Sequence, residues 1–140
     1  MIDFMDWDYC KRTFIKNIEV DPAKIKSIIE TAKKREVFIK EIQVNDNNSS
    51  FIVENYYEII KELLTAFLLK NGIRSRNHQC LFSYFYKEFP EHEDKARFIL
   101  NLGLLRNRLN YYGEIINIEW YKNNVKKIED IILFLYNLLD

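Results

Sequence analysis

The sequence predicts an all-α fold: an antiparallel up-and-down bundle of four or five helices, forming one domain over residues 1–140. Three observations carry this. Only three Gly and two Pro interrupt the chain, so long segments run without a breaker. Apolar residues make up 48%, enough for a sizeable core. They recur every three or four positions, the period of a helix with a wide buried face.

The first twenty residues are the least patterned; Phe14, Ile15 and Ile18 are apolar, and a short helix is expected there. Asp21-Pro22 opens the first strong helix, because aspartate can cap free N–H groups and proline suits the first helical position. This helix runs to about Ile42. The polar tract from Asn45 to Ser50 is a loop, and Ser49 or Ser50 is expected to cap the next helix, with Val53-Glu54 near the capping-box position. That helix carries Ile52, Tyr56, Ile59, Ile60, Leu63, Leu64, Phe67 and Leu68, and Gly72 is its left-handed cap. After a loop through Arg74–Asn77, a shorter helix runs from His78 to about Phe89 and stops at Pro90. A long helix follows from about Glu91 to Tyr112, closed by Gly113. The last helix spans about Glu119 to Leu139, with Val125, Ile128, Ile132, Leu135 and Leu139 in register. No internal repeat or low-complexity tract divides the chain.

Composition narrows function. Lys+Arg and Asp+Glu balance at 21 each, so no global field draws the protein to nucleic acid, and any such site is a local patch. The basic clusters Lys33-Lys34-Arg35, Arg74 with Arg76, and Lys126-Lys127 read as solvated faces or loops. Basic and aromatic residues do not alternate as a single-strand stacking surface requires. The tyrosines sit at helical spacings, as core or interface residues. Cys10 and Cys80 are far apart and lack metal-ligand spacing, so two thiols in a reducing cytosol are expected, with no metal and no cofactor. The apolar run Leu63–Leu69 is too short to span a bilayer, and the acidic N-terminus does not resemble a signal peptide. A cytoplasmic location without membrane contact is the expectation.

The segment from Leu104 to Gly113 carries the most chemistry. Helical residues advance by about 100°. With Arg106 at zero, Phe98, Leu102, Leu105, Leu109 and Tyr112 fall between about −40° and −120°, a stripe expected to face the bundle core. Arg106, Asn107, Asn110 and Tyr111 spread from zero to about +140°. Earlier in the helix that second arc holds Ala96, Ile99, Leu100 and Gly103, so it is apolar first and polar in its last turn. A neighbouring subunit is expected to cover it. Arg106 suits phosphate because a guanidinium offers a planar fork of donors and can stabilise charge developing during phosphoryl transfer. The amides of Asn107 and Asn110 can bond phosphate or a ribose hydroxyl.

Three features together resemble the HEPN superfamily (higher eukaryotes and prokaryotes nucleotide-binding), over roughly residues 22–139. They are the helix Tyr56–Lys70 ending at Asn71-Gly72, the following Ser75-Arg76-Asn77-His78, and Arg106-Asn107-Arg108-Leu109-Asn110-Tyr111-Tyr112-Gly113. The last is similar to the family's R-N-x-x-x-H motif. The resemblance implies an antiparallel helical bundle that homodimerises and, in active members, a metal-independent ribonuclease with Arg and His of two subunits lining one cleft. It implies Arg106 as the phosphate-contacting residue, Asn107 as its polar neighbour, and Tyr111 at the place of the His. That departure bears on activity, because His titrates near ~6.5 and Tyr near ~10, so a Tyr base is protonated at neutral pH. The family also implies a second role, as an interaction module paired with a small nucleotidyltransferase in a toxin–antitoxin system. There Tyr112 is the candidate for adenylylation, although its place on the core stripe predicts burial. A purely structural helical dimer is a third reading. His78 is expected to cap or pack at a helix start, and neither it nor His92 is expected to be catalytic.

Overall fold

The computed structural model describes residues 3–140. Within them six helices pack together: α1 (Trp7–Thr13), α2 (Pro22–Lys40), α3 (Ser49–Lys70), α4 (His78–Glu88), α5 (Glu93–Tyr112) and α6 (Ile118–Leu139). A 3₁₀ turn, Pro90–His92, leads into α5. Two short strands, β1 (Ile15–Asn17) and β2 (Ile73–Ser75), pair antiparallel with Ile15 opposite Ser75.

The all-α expectation holds, and the punctuation residues act as their chemistry dictates. The Asp21 carboxylate accepts the Lys24 N–H at 3.2 Å, and Pro22 opens α2. Gly72 and Gly113 follow α3 and α5 with φ of +76° and +67°, where a side chain would be strained. Three expectations are corrected. The N-terminal segment forms α1, but Ile15 belongs to β1, which pairs with a strand taken for a loop. Neither serine caps α3; Asn48 holds the cap position without a side-chain bond. Instead, Ser49 Oγ donates to the Ile116 carbonyl at 2.6 Å, and Ser50 Oγ accepts the Ile116 N–H at 2.8 Å. Both serines are buried, so the connection between α5 and α6 is latched to the start of α3. Finally, Cys10 and Cys80 form a disulfide across 70 positions, both fully buried. It ties α1 to α4. Persistent disulfides belong to oxidising surroundings, so the reduced thiols behind the cytoplasmic expectation are not what the fold presents. Among the described residues, no helix is long and apolar enough to cross a membrane.

α3 is the axis of the molecule, because its apolar residues run almost all round it. Val53, Ile59, Ile60, Leu63, Leu64 and Leu68 are essentially inaccessible, and α2, α4, α5 and α6 all pack against it. Burying side chains of this size contributes roughly 1.5–3 kcal/mol each before the entropy of ordering them.

α5 lies the other way round from the sequence expectation. Ala96, Ile99, Leu100 and Gly103, assigned to a second subunit, are buried inside this chain together with Leu102. Phe98, Leu105 and Leu109, assigned to the core, are only half-buried. Phe98 and Leu105 line a cleft of about 260 Å³ with Leu102, Arg108 and Trp120. Periodicity identified two apolar arcs but could not say which neighbour covers each.

Candidate functional site

Gly103 sets the site's geometry. A Cβ there would stand 3.2 Å from the Tyr57 hydroxyl, tight enough that the ring would have to give by a few tenths of an ångström, so α5 approaches α3 closely at this point. One turn further along α5, the Arg106 guanidinium lies 6.0 Å from the centroid of the Tyr57 ring. Lys61, one turn along α3 from Tyr57, lies 5.8 Å from the same centroid. Two cations thus share one aromatic ring, each at the range of a cation–π contact.

Glu58 sits between them. Its carboxylate meets Lys61 Nζ at 3.0 Å, and Oε1 lies 3.7 Å from a terminal nitrogen of Arg106. The second distance is an ion pair, too long for a hydrogen bond. The Nε of Arg106 is buried and makes no hydrogen bond. Such an idle donor costs about 1–3 kcal/mol. The side chain as a whole keeps 27% exposure, so part of it is within reach of solvent.

His78, the first residue of α4, acts on this cluster through its electrostatics. The Asn77 side chain accepts the Gln79 N–H at 2.7 Å, capping α4, while Ser75 Oγ donates to the Asn77 carbonyl and fixes the turn. The imidazole lies at the surface within electrostatic reach of Lys61, Glu58 and Arg106. Its pKa is lowered, first by desolvation and then by Lys61; Glu58 opposes this and Arg106 adds to it. His78 is therefore neutral at pH 7, with a lone pair free to accept a proton or hydrogen bond. The Tyr57 hydroxyl is pushed up to about 12 by burial; Arg106 pulls it down and Glu58 raises it further.

Of the residues expected at the site, only Arg106 joins this cluster. Asn107 is half-buried, and Asn110 is exposed. Tyr111 and Tyr112 are 75% and 77% exposed, without a ring or hydrogen-bond partner among the described residues. The burial expected for Tyr112 is corrected: it extends past the last buried turn of α5 and faces solvent. Tyr57, Glu58 and Lys61 were not foreseen as site residues, although they lie within the motif helix. Nothing in their spacing says that this polar turn faces α5. Among the described residues, no group of three His, Cys, Asp or Glu side chains could hold a metal ion.

The basic clusters are largely satisfied elsewhere. Arg35 pairs with Glu62 at 2.8 Å, Arg76 donates to the Thr13 carbonyl, and Lys126 pairs with Asp130. His92 stacks edge-on against Phe134, with ring centroids 4.7 Å apart. No protein-family model, curated protein or solved structure matches the chain, so the HEPN resemblance stands on its motif residues alone.

Proposed function

We propose that the chain is an HEPN-type RNA-binding protein in which Arg106 contacts a backbone phosphate, and that a homodimer acts as a weak, metal-independent ribonuclease. The observation that carries this reading is the state of Arg106. Its guanidinium lies between α5 and α3, has a buried donor without an acceptor, and shares Glu58 and the Tyr57 ring with Lys61. Such a group is prepared for an oxyanion, and a phosphodiester supplies one. The exposed side chains of Tyr111, Tyr112 and Ile115 at the end of α5 support a second copy on this side of the molecule. Tyr111 would then donate a proton to the leaving oxygen of a phosphodiester held at the partner's Arg106, at a rate cost on the order of 10²–10⁴ relative to a well-tuned acid.

The test is cleavage of a mixed single-stranded RNA pool in EDTA, with Arg106→Ala alongside and RNA binding followed by gel shift. Binding and slow cleavage by the wild type, both lost in the variant, are expected. A folded wild-type protein that neither binds nor cleaves would sink the reading.

One observation favours a second reading, a module regulated by a small nucleotidyltransferase. The Tyr112 hydroxyl is open to solvent, as an adenylylation acceptor must be. Mass spectrometry after incubation with such an enzyme and ATP, comparing wild type with Tyr112→Phe, tests it.

A further inference from the structure

We propose that Arg106 and Lys61, brought together from two helices on the Tyr57 ring, form a single phosphate-binding site, and that the Glu58 carboxylate occupies this site in the free protein and must be displaced by the ligand. The proposal rests on the reading that Arg106 contacts phosphate, and it specifies how that contact is built and restrained.

Glu58 is placed as an internal substitute for the ligand. One carboxylate serves both neighbouring cations: it binds Lys61 closely, at 3.0 Å, and Arg106 loosely, at 3.7 Å. As placed, the Glu58 carboxylate is engaged by Lys61 and leaves the Arg106 guanidinium at ion-pair distance without a hydrogen bond. The unused Nε of Arg106 records the shortfall. Inorganic or terminal phosphate presents more acceptor oxygens and more charge than a carboxylate, and a phosphodiester, not tethered to α3, is free to turn its two non-bridging oxygens onto the Arg106 fork while keeping Lys61. The charged groups that act electrostatically on the His78 ring are Lys61 and Glu58 from α3 and Arg106 from α5. With Glu58 in place, the site carries two cations and one anion. Once Glu58 is displaced, two cations face the phosphate, within electrostatic reach of the His78 imidazole. An anion at that point favours the protonated ring, so His78 reports occupancy directly. Glu58 also sets a threshold: a ligand must outcompete an attached carboxylate, which favours polyanionic chains that rebind over a single small anion.

The chain has two histidines, so two imidazole signals are expected by NMR, and His92→Gln assigns them. Inorganic phosphate and a short oligouridylate are titrated at fixed pH into wild type, Glu58→Gln, Lys61→Gln and Arg106→Gln. Glu58→Gln keeps the side chain's size and removes the competing charge. It should bind phosphate about three- to tenfold more tightly, the range expected for freeing partly exposed ion pairs. The His78 signal should shift towards the protonated form on binding, and Lys61→Gln should weaken the response even if Arg106→Gln fails to fold. Oligouridylate binding that is lost in Arg106→Gln but is no tighter in Glu58→Gln, with His78 unmoved, would overturn this proposal and leave the RNA reading intact. A phosphate response that tightens in Glu58→Gln, without any oligouridylate binding, would uphold the site and remove RNA as its ligand. No response to either ligand in wild type or Glu58→Gln would end both.

Discussion

Opening the Cys10–Cys80 bond is the sharpest perturbation the fold offers. The bond closes a loop across a sequence separation of 70. In the chain-entropy description, removing such a closure returns freedom to the unfolded chain worth ~4.4 kcal/mol at 25 °C. For a domain of this length the whole stability is about 7–21 kcal/mol, so the loss is a large fraction. The folded state should survive, because the N-terminal segment has other anchors. Trp7 packs on Tyr84 with ring centroids 5.2 Å apart, Phe4 stacks on Tyr86 at 4.6 Å, and Ser83 Oγ donates to the Met5 carbonyl at 2.6 Å. The assay is urea denaturation of oxidised protein, of the same protein with a thiol reductant, and of Cys10→Ala/Cys80→Ala. With a urea m-value of about 2 kcal/mol per molar, the midpoint should fall by about 2 M on reduction. The double variant should fall at least as far, since two fully buried sulfurs are also lost. Thiol titration under denaturing conditions should find no free thiol before reduction and two after. Coincident midpoints for oxidised and reduced protein, with the bond verified in the former, would refute the reasoning that it acts by restricting the unfolded chain.

Ser50→Ala leaves the buried Ile116 N–H without its acceptor and should cost about 1–3 kcal/mol by urea denaturation. Ser49→Ala should cost less, because the Ile116 carbonyl retains the Ser50 hydroxyl at 3.3 Å; the reverse order would refute the latch. Gly103→Leu should destabilise by about 1–3 kcal/mol by forcing Tyr57 aside, whereas Gly103→Ala, which gains helix propensity as it crowds the ring, should change stability by less than ~1 kcal/mol. Because the folded-state pKa of His78 is lowered, the unfolded chain takes up this proton first as pH falls. The resulting stability is present above about pH 6.5 and is lost as pH drops through the folded-state value. Wild type should therefore weaken relative to His78→Gln between pH 7 and 5, and parallel pH profiles in thermal unfolding would contradict this.

What was legible in the sequence were features written locally. Asp21-Pro22, Pro90, Gly72 and Gly113 mark helix ends through the geometry of their own backbone, so α2 to α6 lie close to their expected bounds. β1 and β2 were not legible: three residues are too few for a strand period, and their partners lie almost sixty positions apart. The disulfide was hidden for the same reason, since spacing alone cannot bring Cys10 to Cys80. The site divides along the same line. Arg106 stood out as a donor fork on a polar turn. Its companions come from α3 and α4, and only packing places them. The facing of α5 was misjudged because a helix apolar on two sides gives no clue to which side meets its own chain.

The way α3 is shared has an evolutionary consequence. Tyr57, Glu58 and Lys61 stand on the helix that every other long helix leans on, interleaved with Tyr56, Ile59 and Ile60. A change in this half of the site is felt by the core at once, so drift there should be slow and paired with compensating changes. The last turn of α5, with Asn110, Tyr111 and Tyr112 in solvent, is under no such restraint. A lineage could rewrite that turn, exchanging one exposed surface for another, while the pair of cations on the Tyr57 ring beneath it stayed fixed.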